Sequence, residues 1–359
     1  MHTALPAFTE RIRKAAAQAT PLRIRGGGSK DFYGGPLAGE PLDTGVLRGI
    51  LAYEPSELYI RALAGTPLAE LEAALAERQQ CLPFEPPHFA GSGISTATVG
   101  GMVAAGLSGP ARAAAGAARD YVLGLSLIDG RGDHQSFGGQ VMKNVAGYDI
   151  ARLVAGSLGI LGLITEVSLK VLPVPAAEAT LQFTLAEAEA IARLNHWAGQ
   201  PLPLNASCWH AGVLSVRLRG AQAAVQAACT RMGGALLPDA AAFWATLREQ
   251  THPFFAPQPD QVLLRLALPD TVPPLQAGPT LVEWGGAQRW LQIAPDQVQK
   301  VRLASAEYGG HATVFRANEL SSHTVFTPPS PVVARIHRGL KQQFDPAGIF
   351  NPGRLYPDL

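Results

Sequence analysis

The stretch that decides the fold is Pro21–Gly35, which reads PLRIRGGGSKDFYGG. Leu22–Arg25 is predicted to be a short strand, and it runs directly into Gly26–Gly28. Three consecutive glycines permit positive φ values and let the backbone approach a ligand with no Cβ in the way. Successive N–H groups in such a turn form an anion-binding concavity, to which the Ser29 hydroxyl and the Lys30 ammonium add donors and charge. The stretch therefore predicts a loop that holds a pyrophosphate.

A second glycine-rich run, Ala97–Gly109 (ATVGGMVAAGLSG), follows about seventy residues later and offers a surface of small residues for a flat cofactor. A glycine triplet alone is also consistent with an ordinary tight turn. The first loop lacks the GxxxxGK[ST] spacing of a Walker loop. It is also not a Rossmann fingerprint, because a polar loop follows it where a long helix would be required. Together the two runs predict a dinucleotide cofactor.

Composition limits the functional classes. With 359 residues the chain is long enough for two domains. A net charge of +1 gives no electrostatic footprint for nucleic acid. Only 16% of the residues are charged, which favours a surface that partner chains cover. The three cysteines form no CxxC pair, so the sequence predicts neither a disulfide framework nor a zinc or iron–sulfur site, and no metal ligands are assigned.

The N-terminus has no apolar leader, and no segment is typical of a membrane span. We expect a cytoplasmic protein that associates with the inner face of the membrane through partners.

Helices and short strands mix along the chain in a pattern that predicts an α+β fold and not a doubly wound one. Examples are a helix at Ala7–Ala19, a strand at Val46–Leu51, and a helix at Thr66–Ala76 with Thr66 as its N-cap. Two prolines at Pro173–Pro175 indicate a boundary. We therefore expect a first domain at residues 1–174, a cap domain at 175–325, and a C-terminal helix and tail at 326–359 that return to the first domain.

Four motifs occur in a recognisable order: RGGGS, TVGGMVAAGLSG, KNVAGYDIARLVAGSLGILGLITEVSLKVLP, and FDPAGIFNPGR. In this order the chain resembles the vanillyl-alcohol-oxidase-type FAD-binding flavoproteins, and within them the second flavin subunits of bacterial glycolate oxidases. The resemblance covers nearly the whole chain. It implies a two-part PCMH-type FAD-binding domain, a smaller α/β cap, and FAD as the cofactor.

The resemblance also implies which residues meet the cofactor. The first loop would hold the pyrophosphate, the second run would lie beneath the isoalloxazine and ribityl chain, and Gly162–Glu166 would meet the adenosine half. For the glycines of the third motif, simple close packing is the alternative. The residues assigned to FAD are Arg25, Gly26, Gly27, Gly28, Ser29, Lys30, Asp31, Thr98, Gly100, Gly101, Ala105, Gly156, Gly162, Ile164, Glu166 and Asn351.

The flavin is expected to be non-covalent. Covalent members of the family carry histidine as the third residue of the first loop, where this chain has Gly28. Cys208-Trp209 is similar to the cysteine attachment dipeptide of some relatives, but it lies in the cap segment. We therefore interpret Cys208 as a core residue.

The longer 2-hydroxy-acid dehydrogenases of this superfamily carry an HGDGNxH-like stretch in the cap, and nothing equivalent appears between Pro175 and Arg316. No catalytic residue can therefore be assigned. The resemblance implies an FAD subunit that oxidises glycolate or a close 2-hydroxy acid to the 2-oxo acid by hydride transfer, beside a larger flavin subunit and an iron–sulfur subunit. Two alternatives stay open: a self-sufficient dehydrogenase of the D-lactate type, and an FAD-binding subunit that relays electrons without substrate chemistry.

Overall fold

A computed structural model describes residues 3–91, 93–139, 148–317 and 324–359. The helices are α1 Leu5–Gln18, α2 Leu68–Ala76, α3 Val99–Ala105, α4 Arg112–Ala115, α5 Ile150–Val154, α6 Glu187–Ala198, α7 Gln222–Met232, α8 Ala240–Glu249, α9 Val298–Glu307 and α10 Pro331–Phe344. The strands are β1 Leu22–Arg25, β2 Glu40–Asp43, β3 Ile50–Glu54, β4 Tyr59–Leu63, β5 Gln80–Cys81, β6 Val122–Ile128, β7 His134–Gly138, β8 Leu163–Lys170, β9 Leu172–Pro173, β10 Ala177–Thr184, β11 Leu204–His210, β12 Val213–Gly220, β13 Ala235–Leu236, β14 Val262–Ala267, β15 Thr280–Glu283, β16 Gln288–Ile293 and β17 His311–Arg316.

The N-terminal half is built on an antiparallel sheet with the strand order β3-β4-β8-β6-β7. Strand β8 lies at its centre and is buried at six of its eight positions, which explains its run of apolar residues. Helices α2, α3 and α5 supply buried apolar side chains to the same core. Strands β1 and β2 form a separate parallel pair, and the glycine loop begins where β1 ends.

The C-terminal half is built on an eight-stranded antiparallel sheet with the order β13-β10-β12-β11-β15-β16-β14-β17. One face is apolar and packs against α6, α7 and α9. On the other face the register pairs Arg265 with Trp290, whose indole N–H donates to Glu283 Oε2 at 2.7 Å. Because neighbouring residues of a strand point to opposite faces, the sheet separates an apolar back from a front that carries polar groups.

This front face packs on the N-terminal half. An interdomain core joins Tyr33 and Leu158 to Trp290 and Phe315 of the sheet. Beside it, Arg217 donates to both carboxylate oxygens of Glu85, at 2.7 and 2.8 Å. The two halves therefore meet over a surface that includes Tyr33, close to the glycine loop in sequence.

The C-terminal tail returns to the first strand. The backbone N–H of Leu22 donates to the Ile349 carbonyl at 2.7 Å, and the N–H of Asn351 donates to the Leu22 carbonyl at 2.9 Å. The buried Lys341 ammonium holds the turn by donating to Asp345 Oδ2 and to the carbonyls of Ile160 and Phe350. The last residues of the chain thus complete the wall around the glycine loop.

The mixture of helices and antiparallel sheets confirms the predicted α+β class. Two local predictions were wrong. The strand predicted at Val46–Leu51 begins only at Ile50, where β3 starts, because the chain before it turns between β2 and β3. Helix α2 has Pro67 as its N-cap, since the Thr66 hydroxyl bonds to the backbone of Gly49 instead. The division into residues 1–174, 175–325 and 326–359 stays our proposal.

Candidate cofactor site

The glycine loop closes directly on the backbone that leads into α3. A Cβ added at Gly27 would lie 1.5 Å from the Thr96 carbonyl oxygen, and one at Gly26 would lie 2.4 Å from Thr98 Oγ1. Gly28 has a φ of +75°, which side chains rarely tolerate. Only glycine fits at these positions, so the loop presents bare backbone toward the cleft beside it.

Three adjoining depressions form one trough along this loop. The central cleft is lined by residues 24–31 together with Thr98 and Leu158. A second cleft shares Ile24, Leu158 and Asn351 with it and continues toward Ile164. In the opposite direction a cavity of about 530 Å³ meets the central cleft at Asp31 and Leu37. The trough is elongated, as a dinucleotide requires.

The structure brings most of the predicted residues together in this trough. Those lining the central cleft are Arg25, Gly26, Gly27, Gly28, Ser29, Lys30, Asp31, Thr98, Gly101, Ala105 and Asn351. Those lining the second cleft include Gly100, Gly162 and Ile164. We propose that these residues contact the cofactor.

Gly156 and Glu166 do not line the trough. Gly156 lies beside the end of α3, where its N–H donates to the Val103 carbonyl at 2.9 Å; a Cβ there would meet nothing within 4 Å, so its φ of +88° and not close packing favours glycine. Glu166 lies within β8 and pairs with Arg61 at 3.5 Å. Of the KNVAGY motif, residues 143–147 lie outside the described residues.

The Lys30 ammonium is buried near two carboxylates but forms an ion pair with neither of them. Its ammonium donates to Ser29 Oγ at 3.2 Å and lies 5.6 Å from the centre of the Phe89 ring. Burial lowers its pKa to about 8, against the opposing effect of Glu249 and Glu72, neither of which reaches ion-pair distance. A phosphate in the central cleft would supply the missing negative charge, so the donor set fits the pyrophosphate of FAD.

The Asn351 side chain links two segments of the trough wall through hydrogen bonds to their backbone. Its Oδ1 accepts from the Ile24 N–H and its Nδ2 donates to the Leu158 carbonyl, both at 2.7 Å. Arg354, which sequence reasoning missed, is buried and donates to the carbonyls of Tyr33 and Gly35. These two residues hold both walls of the trough through the returning tail.

The large cavity carries a cation among aromatic rings. The Arg316 guanidinium lies 4.6 Å from the centre of the Phe32 ring and 5.7 Å from that of Phe315. Burial lowers the pKa of Arg316 to about 10, so it stays charged at neutral pH. Nearby, Arg265 Nη2 donates to the Tyr33 hydroxyl at 3.0 Å. In the described ranges neither arginine has a carboxylate within ion-pair distance.

Within the described ranges no group of three or more potential metal ligands occurs. His210 and His252 meet edge to face with ring centres 5.4 Å apart, and burial lowers the pKa of each. Cys208 is buried in the interdomain core, which matches its interpretation as a core residue.

Comparison with known proteins identifies the class. A family model described as an FAD binding domain matches residues 7–138. Solved structures of alkyldihydroxyacetonephosphate synthase share the fold, with a TM-score of 0.64 and 14% sequence identity over 97% of this chain and 75% of that chain. The protein is an FAD-binding flavoprotein of the PCMH-type oxidoreductase class, and FAD is its cofactor.

Curated relatives narrow this class. Glycolate oxidase subunit GlcE of Escherichia coli is 46% identical over 98% of this chain and 97% of its own length. The chain belongs to this family of glycolate oxidase subunits. Glycolate oxidase subunit GlcD of Bacillus subtilis is 41% identical over 27% of this chain, and a D-lactate dehydrogenase of Anaerostipes hadrus is 37% identical over 35% of it.

Among the described helices, none is both long and apolar enough to cross a bilayer.

Proposed function

We propose that this chain is the FAD-binding subunit of a glycolate oxidase-type complex, which oxidises glycolate or a close 2-hydroxy acid to glyoxylate or the matching 2-oxo acid. The observation that carries the proposal is the nearly full-length similarity to glycolate oxidase subunit GlcE. The D-lactate dehydrogenase relative supports a 2-hydroxy acid as the substrate class.

The residues of the large cavity can bind such a substrate. Arg316 would pair with its carboxylate, and the aromatic rings of Phe32 and Phe315 would exclude water around that pair. A cation in a partly buried site binds an anion more strongly than an exposed one does. Bound FAD supplies the acceptor for the hydride that leaves C2 of the hydroxy acid. The glycine loop, Lys30 and Asn351 hold the trough in the shape that this cofactor requires.

Anaerobic addition of glycolate to the FAD-loaded chain tests the proposal. Bleaching of the flavin absorbance by the isolated chain supports catalysis here. Arg316→Met should weaken the response by about 30-fold or more, since removing one partner of a buried ion pair costs ~2 kcal/mol or more. Arg193→Met is the control, because Arg193 pairs with Glu189 on an exposed helix surface.

The lack of an HGDGNxH-like stretch between Pro175 and Arg316 favours a second candidate, an FAD-binding relay subunit without substrate chemistry. In that case glycolate would leave the flavin of the isolated chain oxidised and would bleach it only after a larger flavin subunit is added. Full turnover by the isolated chain with an artificial dye would instead support the self-sufficient dehydrogenase.

The proposed partners are a larger flavin subunit and an iron–sulfur subunit. The names of the relatives, subunits GlcE and GlcD of glycolate oxidase, support a multi-subunit assembly. Co-purification of a second flavoprotein and a cysteine-rich protein from the native host tests this proposal.

A further inference from the structure

A small polar cleft lies between the front of the eight-stranded sheet and the second glycine-rich run. Arg265, Glu283 and Phe315 of the sheet form one wall, and residues 107–110 form the other. Phe315 also lines the large cavity, and Ala105, the last residue of α3, lines the central cleft of the trough. At about 20 Å³ the polar cleft has room for one group the size of a water molecule. It can therefore take the polar end of a ligand whose remainder lies in the trough.

Glu283 presents one carboxylate oxygen that has no donor within the described residues. The residue is 3% exposed, and its Oε2 accepts hydrogen bonds from the Trp290 indole N–H at 2.7 Å and from the Gln288 amide at 3.0 Å. Its Oε1 accepts none in the described ranges, yet this atom is not sealed off from the polar cleft. Gln250 Oε1, a second acceptor in the cleft wall, also has no donor among the described residues. Because a buried acceptor without a donor costs free energy, the cleft favours a ligand group that donates, such as a hydroxyl.

The residue after Glu283 holds this carboxylate against the second glycine-rich run. Trp284 has a φ of +53°, a conformation in which a bulky side chain is strained. Its indole N–H donates to the Gly109 carbonyl at 3.1 Å, and the Arg112 guanidinium lies 4.5 Å from the centre of its ring. These contacts offset the strain and fix the end of β15, so the Glu283 carboxylate is preorganised toward the polar cleft.

The surroundings of Glu283 leave it able to take up a proton. Burial raises its pKa to about 7, with a smaller contribution from Glu85, although its two hydrogen bonds act in the opposite direction. Arg265 and Arg248 line the same cleft, and Cys208 stands opposite Glu283 on β11. Burial raises the pKa of Cys208 well above its usual value, so that thiol stays neutral. The Glu283 carboxyl group is therefore close to half ionised at neutral pH, which suits a general base.

We propose that Glu283 is the catalytic base of the proposed oxidation and that its Oε1 accepts the hydroxyl proton of the bound 2-hydroxy acid. The O–H bond breaks and its proton goes to Oε1, while the C2–H bond breaks and its hydrogen leaves with the electron pair as hydride to the bound FAD. C2 and its oxygen become the carbonyl of the 2-oxo acid, and Glu283 then returns the proton to water. The inference rests on the proposed function, but it does not depend on which arginine beside Phe315, Arg265 or Arg316, pairs with the substrate carboxylate.

The first test is the rate at which saturating glycolate reduces the flavin of the FAD-loaded chain without oxygen. Glu283→Gln keeps the shape of the side chain but removes the base, so this rate should fall by about 100-fold or more while the FAD content is unchanged. The wild-type rate should rise with pH through about 7, because the base must be ionised, and the variant should lack this rise. Glu187→Gln is the matched control and should keep the wild-type rate, because burial also raises the pKa of Glu187, which lies on α6 behind the sheet.

The second test needs no turnover and compares two acids by calorimetric titration of the FAD-loaded chain. The acid 2-hydroxy-2-methylpropanoate carries the hydroxyl but has no hydrogen on C2, whereas 2-methylpropanoate lacks the hydroxyl. The wild type should bind the hydroxy acid about tenfold more tightly or better, because its hydroxyl gains a charged acceptor. This preference should be greater above the Glu283 pKa of about 7 than below it, and Glu283→Leu should lose it.

Two results would overturn the assignment of Glu283. One is a Glu283→Gln protein that matches the wild-type reduction rate and pH profile, and the other is a wild type that does not favour the hydroxyl at any pH. The second measurement uses the unaltered chain, so a variant that fails to fold does not remove the test. If glycolate leaves the wild-type flavin oxidised although Glu283→Leu abolishes the preference for the hydroxyl, the proposed function fails while the contact of Glu283 with the hydroxyl stands.

Discussion

Replacing Gly27 by alanine tests whether the glycine loop has the close backbone contact described above. The added Cβ would lie 1.5 Å from the Thr96 carbonyl oxygen and 2.5 Å from its carbon, whereas ordinary contact begins near 3.4 Å. The obstacle is backbone and not a flexible side chain, so the loop and the segment before α3 must separate by about 2 Å. Overpacking of this kind costs ~3 kcal/mol or more.

The same separation opens the central cleft, so Gly27→Ala should lose most of its FAD as well as stability. The ratio of flavin to protein absorbance after gel filtration measures retention, and urea denaturation measures the free energy of unfolding. Gly339→Ala is the matched control, because a Cβ there meets nothing within 4 Å. In the interior of α10 this change should stabilise the protein by about 0.5–1 kcal/mol. A Gly27→Ala protein with full FAD and unchanged unfolding would refute the reasoning.

Three further outcomes follow from the site. Because burial lowers the pKa of Lys30 to about 8, FAD affinity should be full below pH 8 and fall as the pH rises above it; in Lys30→Met, affinity should be weaker and this dependence absent. Asn351→Ala should lower the free energy of unfolding by about 1–3 kcal/mol for each of its two backbone partners, Ile24 and Leu158, measured with urea; an unchanged midpoint would contradict this. Acid precipitation should release yellow flavin into the supernatant, since Gly28 stands where covalent relatives carry histidine; a yellow pellet would disprove non-covalent binding.

Several elements were predictable from local sequence. The C-terminal helix expected within residues 326–359 is Pro331–Phe344, which begins with proline and is capped by Ser330. The glycine loop was equally visible, because a loop that needs positive φ and close backbone contact excludes every other residue type. The conformation of these segments depends on residues close to them in sequence, so it can be predicted without knowledge of the fold.

The positions of Arg316 and Arg265 could not be predicted in the same way. Single arginines in apolar strands carry no motif, and only the pairing of β14 with β16 and β17 brings them beside the aromatic rings. Nothing near Gly156 in sequence shows that its N–H bonds to the Val103 carbonyl at the end of α3 while Gly162 lines the trough. Each of these outcomes depends on strand register or on the approach of distant segments.

The sequence by itself determined the α+β class, the glycine loop that we expect to bind phosphate, and the FAD-binding family. The loop follows from local backbone requirements, and the family follows from the order of the motifs. The return of the tail was expected from the sequence, but only the tertiary structure decided that Asn351 links Ile24 to Leu158 and that the front of the eight-stranded sheet supplies the cationic end of the trough. The physical reason is that buried polar groups must find partners, and in this chain the partners of Ile24 and Leu158 lie some two to three hundred residues away.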